Sequence, residues 1–319
     1  MFIIYLFYNM SQMKLKVFIL FLLYNSFFYA QDTIFSIQQL SINQHIDGTL
    51  LLPNEKEKPN LIIIIAGSGP ADRNGNQNFL KNNSLKKLAE RLTENGIATF
   101  RYDKRIVKQI RQGNVDPNIS FDDFVTDAIS VLNYFKLKDN FNKVYIIGHS
   151  QGSLVGILAA REGADGFISL SGAGKTIDEV IIDQINKTAP MFTEDAKRVF
   201  SILKEGGTTE DYPKALASIF NKELQPFMTS WMQYNPQEEI KKLQIPILII
   251  NGSKDLQVSI EEAHLLKAAV PNAQIEIIEK MNHILVPIEG NNLENSKSYN
   301  ESFRTLSLKL IDAIVKFIK

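Results

Sequence analysis

Leu61-Ile62-Ile63-Ile64-Ile65 is an unbroken apolar run, set between the solvated Asn54-Glu55-Lys56-Glu57-Lys58-Pro59 stretch and a glycine-rich Gly67-Ser68-Gly69 segment. A strand with one face in water alternates polar and apolar residues. A run without alternation suits a strand covered on both faces, which is the habit of parallel sheets flanked by helices. The same kind of run recurs at Ile97–Tyr102, Lys143–Ile147, Gly166–Leu170 and Ile245–Ile250, and helical patterns at about 84–95, 121–136 and 151–162 separate the earlier ones. Strands alternating with helices predict an α/β protein with a mostly parallel, doubly wound sheet.

Residues 34–52 read as an edge hairpin turning at Asn43-Gln44, with Asp47-Gly48 as a second turn or bulge. After the strand near 170 the alternation stops, and a stretch rich in helix formers runs from 175 to 240 with Phe227, Trp231 and Tyr234 in it. This predicts a helical cap inserted over the sheet, with the core formed by 31–174 and 241–319. A helix at about 260–270, a strand at 273–278 and a closing helix at 300–319 restore the pattern. The length of 319 residues, with 45% hydrophobic and 22% charged side chains, suffices for one large core of this kind.

Residues 1–30 differ from the rest: a basic Lys14-Leu15-Lys16, an apolar run from Val17 to Phe28, and then Tyr29-Ala30-Gln31. This is the layout of a secretory signal peptide cleaved after Ala30, with Met13 as the start and 1–12 as an upstream extension. An uncleaved membrane anchor is the rival reading, since a spanning helix needs roughly 20 apolar residues. Either way the expected location is outside the cytoplasm, periplasmic or secreted, and the only membrane contact would be that anchor.

Lysine plus arginine and aspartate plus glutamate number 35 each, and no basic run is interleaved with aromatics, which argues against a nucleic-acid partner. The absence of cysteine excludes disulfides, thiolate nucleophiles and zinc-thiolate sites.

Between the Lys143–Ile147 strand and the following helix lies Gly148-His149-Ser150-Gln151-Gly152, a G-x-S-x-G nucleophile elbow in strand–turn–helix context. The glycines are needed because Ser150 must occupy a strained turn in which side chains two residues away would strike backbone. A serine hydroxyl needs a base, for which histidine is the usual choice. Of the four histidines, His45 falls in the hairpin, His149 inside the elbow and His264 on a helix beside Glu261-Glu262. His283 follows the last strand, where the chain order nucleophile, acid, histidine places the base. Asp255, just after Ile245–Ile250, is the expected acid that orients His283.

The first oxyanion donor expected is the Gln151 N–H at the helix start, and the second is the Ser68 N–H in Ala66-Gly67-Ser68-Gly69-Pro70. A phosphate loop is disfavoured there because no Gly-x-x-x-x-Gly-Lys-Ser/Thr follows. Arg101-Tyr102-Asp103-Lys104-Arg105 reads as a solvated charge run, with Asp103 a lesser candidate for organising a loop.

Together, Gly67-Ser68-Gly69-Pro70-Ala71-Asp72-Arg73-Asn74-Gly75-Asn76, Arg101 to Arg105 and Gly148 to Gly152 resemble the capped bacterial carboxylesterases of the α/β-hydrolase fold. The resemblance spans nearly all of 34–319 and is related to the serine aminopeptidase-like hydrolases. It implies a cap, a triad of Ser150, Asp255 and His283, a small-molecule ester as substrate and hydrolysis of short acyl esters. No cofactor or metal is required. Such proteins usually continue Tyr-Asp-Lys-Arg with Gly-x-Gly, whereas Ile106-Val107-Lys108 stands here, which predicts a differently shaped loop. A serine peptidase on the same triad is the first alternative, which an acidic pair for a free amine would favour, Glu238-Glu239 being the candidate. A non-catalytic binding protein on a hydrolase scaffold is the second.

Overall fold

The computed structural model describes residues 34–54 and 56–319; the proposed signal segment 1–30 lies outside them. Eight strands form one sheet: β1 (Phe35–Ser41), β2 (Asp47–Pro53), β3 (Leu61–Ile65), β4 (Ala98–Tyr102), β5 (Val144–His149), β6 (Gly166–Leu170), β7 (Ile247–Gly252) and β8 (Gln274–Ile278). Their spatial order is β1-β2-β4-β3-β5-β6-β7-β8. β1 pairs antiparallel with β2 and β2 with β4, while β4 through β8 are parallel. The chain order reverses between β3 and β5. Ligands in open α/β sheets bind outside the carboxyl ends of strands at such a switch point.

Helices cover both faces, which is why β3 carries no polar position. Leu61, Ile63 and Ile65 belong to one core with Phe121, Val131 and Phe135 of α3 (Phe121–Leu137) and Val155 and Ile157 of α4 (Gln151–Ala160). Ile62 and Ile64 belong to the other, with Leu88 and Leu92 of α1 (Ser84–Glu94) and Ile311 and Ile314 of α12 (Leu308–Ile318). All five side chains of β3 are buried.

Between β6 and β7 the chain forms α5 (Ile177–Thr188), α6 (Thr193–Lys204), α7 (Ala217–Phe220), α8 (Gln225–Met232) and α9 (Pro236–Ile240). Ile185, Val199, Phe200, Leu203, Phe220 and Met228 make a third apolar cluster of this insertion's own. Of the aromatics there, Trp231 stacks on Phe121 at 5.6 Å, while Phe227 and Tyr234 also pack against Phe121.

Four expectations are corrected. Asp47-Gly48 is no turn but the start of β2, paired with Ser41 and Leu40; a Cβ on Gly48 would sit 2.1 Å from Phe100 Cζ, so close packing requires the glycine. The segment after Lys104 is a helix, α2 (Arg105–Gln112), closed by Gly113 at φ 65°. The closing helix begins at Leu308, not at 300, and is preceded by α11 (Asn292–Ser298). Finally, Arg101, Asp103 and Lys104 are buried rather than solvated. α10 (Ile260–Ala269) lies where the pattern predicts, with His264 exposed on it. Among the described residues no helix is long and apolar enough to cross a membrane.

Candidate active site

Ser150 sits between β5 and α4 with φ 55° and ψ −122°, a backbone conformation that a non-glycine residue adopts only where its surroundings enforce it. The Ser150 N–H donates to the Leu170 carbonyl at 2.9 Å, and the Ser150 carbonyl accepts from the Ser153 N–H at 2.8 Å. A Cβ on Gly148 would lie 2.1 Å from the Gly152 carbonyl oxygen, and one on Gly152 2.5 Å from that of Ile65. The turn is thus too tight for any side chain at either position.

Asp255 follows β7, and His283 lies on the loop after β8. His283 Nδ1 and Asp255 Oδ2 are 2.8 Å apart, with both side chains almost wholly buried. The other carboxylate oxygen, Oδ1, accepts from the Gln257 and Val258 N–H groups at 2.8 and 2.9 Å. Burial pushes the Asp255 carboxyl up, but the nearby His283 charge, its hydrogen bond and these two amides together hold the carboxyl below its usual range.

Two supports for the histidine were not visible in the sequence. The His149 ring lies 4.8 Å from that of His283, and its Nε2 donates to the His283 carbonyl at 2.8 Å. Burial, together with the neighbouring His283 charge, lowers His149 to about 4, so the ring is neutral at pH 7 and serves as a donor. The second support comes from α11: Asn295 donates to the Lys254 carbonyl at 2.7 Å and accepts from Asn282 at 2.8 Å. One buried amide thereby ties the acid loop to the histidine loop.

The Gly67–Asn76 loop after β3 runs beside the serine; a Cβ on Gly67 would lie 3.1 Å from Ser150 Cβ. Asp72 accepts from the Asn74 and Asn76 N–H groups, and Arg73 binds Asp103 through its backbone N–H and its guanidinium, both at 2.8 Å. Arg111 adds a second cation to Asp103 at 2.7 Å. Burial raises the Asp103 carboxyl, and the bonds from Arg73 and Arg111 more than reverse this, leaving it below its usual range. Arg105 grips Asp127 of α3 with two parallel bonds of 2.8 and 2.7 Å. Lys104 points inward, and burial pulls its ammonium down to about 7. Arg101, Asp103 and Lys104 are therefore buried braces of this loop, bonding Asn74, Arg73, Gly67 and Gly69, while Arg105 ties the run to α3.

Two cavities meet at Ser150. One of about 380 Å³ is lined by Ser68, Ser150 and Gln151 on the sheet side and by Ile181, Ile185 and Trp231 of the insertion. A smaller one of about 80 Å³ brings Ser150 and His283 together with Gly67, Ser68, His149 and Tyr299. Among the described residues, none that lines the larger cavity is acidic. Glu238 pairs with Lys241, and Glu239 with Arg161 and Lys242; neither lines it. No group of His, Cys, Asp and Glu suited to a metal ion occurs among the described residues.

The chain has the α/β-hydrolase fold, and Ser150, His283 and Asp255 stand in it as a candidate serine-hydrolase site. A family model described as serine aminopeptidase, S33, matches residues 82–224. Esterase EstD of Thermotoga maritima is 24% identical over 278 residues, 82% of this chain and 63% of EstD. The uncharacterized peptidase YtmA of Bacillus subtilis is 25% identical over 168 residues, 51% of each chain. The chain thus spans 63% and 51% of the length of these two curated relatives. Among solved structures, Est1E from Butyrivibrio proteoclasticus superimposes with a TM-score of 0.55 at 19% identity, covering 88% of this chain and 97% of Est1E, a likeness of fold.

Proposed function

We infer that this protein is a serine carboxylic-ester hydrolase that works through an acyl-enzyme, acting on short acyl esters outside the cytoplasm. Ser150 is the nucleophile, His283 its base and Asp255 the carboxylate that fixes the imidazole tautomer; the Ser68 and Gln151 N–H groups hold the oxyanion. His283 passes the proton to the leaving alcohol, and water then repeats the attack on the acyl carbonyl with the same base.

The observation that carries this reading is the Asp255–His283 pair opening onto the cavity that Ser150 lines at the elbow. The choice of ester over amino-terminal peptide rests on the larger cavity. Its walls combine apolar residues such as Leu154, Val180, Ile181 and Ile185 with a few neutral polar ones, carry Lys175 as their charged group and no carboxylate to receive a free amine, and Glu238 and Glu239 are engaged elsewhere. An acyl chain fits such a wall; an ammonium would be desolvated there without a partner.

The test is turnover of a p-nitrophenyl acyl series and of aminoacyl p-nitroanilides by residues 31–319, beside Ser150→Ala and a fluorophosphonate label. Ester turnover and labelling, both lost in Ser150→Ala, are expected. Faster cleavage of the anilides would replace the ester reading with the peptidase one, and a folded chain that takes no label would end the catalytic reading. Expression of the full chain, with the mature amino terminus sequenced, tests export: Gln31 is the expected first residue.

A further inference from the structure

Lys104 is a buried amino group that the acyl-transfer scheme does not use, and its ammonium form is the one whose hydrogens match the acceptors around it. Its aliphatic stem is enclosed, its Nζ lies 4.3 Å from the centroid of the Phe124 ring, and the residue is 5% exposed. The ammonium has three hydrogens and meets three acceptors: the Gly67 carbonyl at 3.0 Å, the Gly69 carbonyl at 3.2 Å and Gln151 Oε1 at 2.7 Å. None is a carboxylate. Burying a cation against neutral acceptors alone costs stability, so this lysine is not explained as an ion pair that holds the fold together.

The identity of the acceptors matters. The Gly67 carbonyl and the Ser68 N–H belong to one planar peptide unit, and in a trans unit the C=O and N–H bonds point in opposite directions. Binding of the Gly67 oxygen by Lys104 therefore turns the Ser68 N–H away from the ammonium, and Ser68 lines both of the cavities that Ser150 lines. A cation on the oxygen also polarises the unit and strengthens its N–H as a donor. The Ser68 carbonyl, next along, is held separately by Gln77 Nε2 at 2.7 Å. The third acceptor belongs to Gln151, whose backbone N–H is the other oxyanion donor. Resting on the acyl-transfer reading of Ser150, we propose that Lys104 is the positioning residue of the oxyanion hole: one ammonium holds both donor-bearing segments, aims the Ser68 N–H and polarises it.

The chain contains no cysteine, so Lys104→Cys introduces a single thiol. Alkylation in denaturant with 2-bromoethylamine, followed by refolding, rebuilds an ammonium at lysine's reach, whereas 1-iodopropane builds an apolar arm of the same length. With the propyl arm, kcat on the best p-nitrophenyl ester is expected to fall about 10- to 100-fold with KM nearly unchanged, a fraction of what deleting an oxyanion donor costs. Affinity for a trifluoromethyl ketone, whose hemiketal oxygen occupies the oxyanion hole, falls by the same factor, and the aminoethyl arm restores both.

The proposal is overturned if the propylated form keeps wild-type kcat, if the loss falls on KM while ketone affinity is unchanged, or if the aminoethyl arm does no better than the propyl arm. A propylated chain that regains no cooperative unfolding transition would make Lys104 a folding residue and overturn it as well. Wild-type protein inert toward esters would count against the ester reading instead, and the ketone affinities would still decide Lys104.

Discussion

Replacing Asp255 by asparagine separates charge from tautomer. In the native site, Oδ1 accepts from the Gln257 and Val258 N–H groups, and only Oδ2 faces His283 Nδ1. An asparagine must present its carbonyl to those two amides, since its NH₂ group cannot accept, so that NH₂ is forced toward the imidazole. Nδ1 must then act as the acceptor, and the ring proton moves to Nε2, the nitrogen that takes the Ser150 proton in the proposed scheme. The base is lost although every heavy atom stays in place. Inverting the tautomer in a serine triad costs about 10⁴-fold in kcat, or about 5.5 kcal/mol of barrier. The fold should survive, because both backbone amides keep their acceptor. Stopped-flow acylation by a p-nitrophenyl ester, with thermal unfolding as the control for folding, measures both. Asp255→Asn acylating within about tenfold of the wild type would refute the tautomer argument and the role of Asp255 with it.

Two further outcomes follow from neighbouring residues. Gly152→Ala would place a Cβ 2.5 Å from the Ile65 carbonyl oxygen and 2.7 Å from that of Ala66, so it should cost about 1–3 kcal/mol of stability as the strand end is pushed away; fluorophosphonate labelling should slow, and an unchanged rate and melting temperature would show that the turn has slack. His149 falls from 6.5 to about 4 on folding, so the unfolded chain binds the extra proton; its contribution is full above pH 6.5 and is lost as pH falls toward 4, about 3 kcal/mol in all. Urea unfolding of wild type and His149→Gln across that window should show the gap between them closing by that amount, and parallel curves would count against a buried neutral ring.

What could be read from the sequence is what local periodicity and steric necessity encode. The β3 run has no polar position because both sheet faces are covered, and Gly148 of the elbow is dictated by the backbone of Gly152 four residues on, although Gly152 itself is dictated by the distant end of β3. Lys104 was illegible for the opposite reason. Its acceptors, Gly67, Gly69 and Gln151, lie 35 to 47 residues away, and a cation in a run of charges reads as solvated until the tertiary structure encloses it. His149 is similar, with its acceptor 134 residues distant on the His283 carbonyl. Asn295 braces the Asp255 and His283 loops from a helix of only seven residues, too short for periodicity to announce.

The architecture also explains why the two halves of the site are built from different material. The groups proposed for chemistry stand on segments next to β3, β5, β7 and β8, whose positions are fixed by two sheet cores and by buried polar braces. Much of the wall facing the substrate comes instead from the insertion after β6, which carries a third apolar cluster of its own. A substitution in that cluster can reshape the cavity near Ile181 and Ile185, while Asp255 and His283 are held mainly by partners in the core and in α11; the insertion reaches the acid loop through Gln184 of α5, which donates to the Gln257 carbonyl at 2.9 Å. The shape of the cavity and the geometry of the proposed triad are thus held by different clusters, with this hydrogen-bonded link between them. That is the physical reason Ser150, Asp255 and His283 stand out in the sequence as candidates, while the shape of the cavity is carried by helices whose sequence shows only that they are apolar on one side.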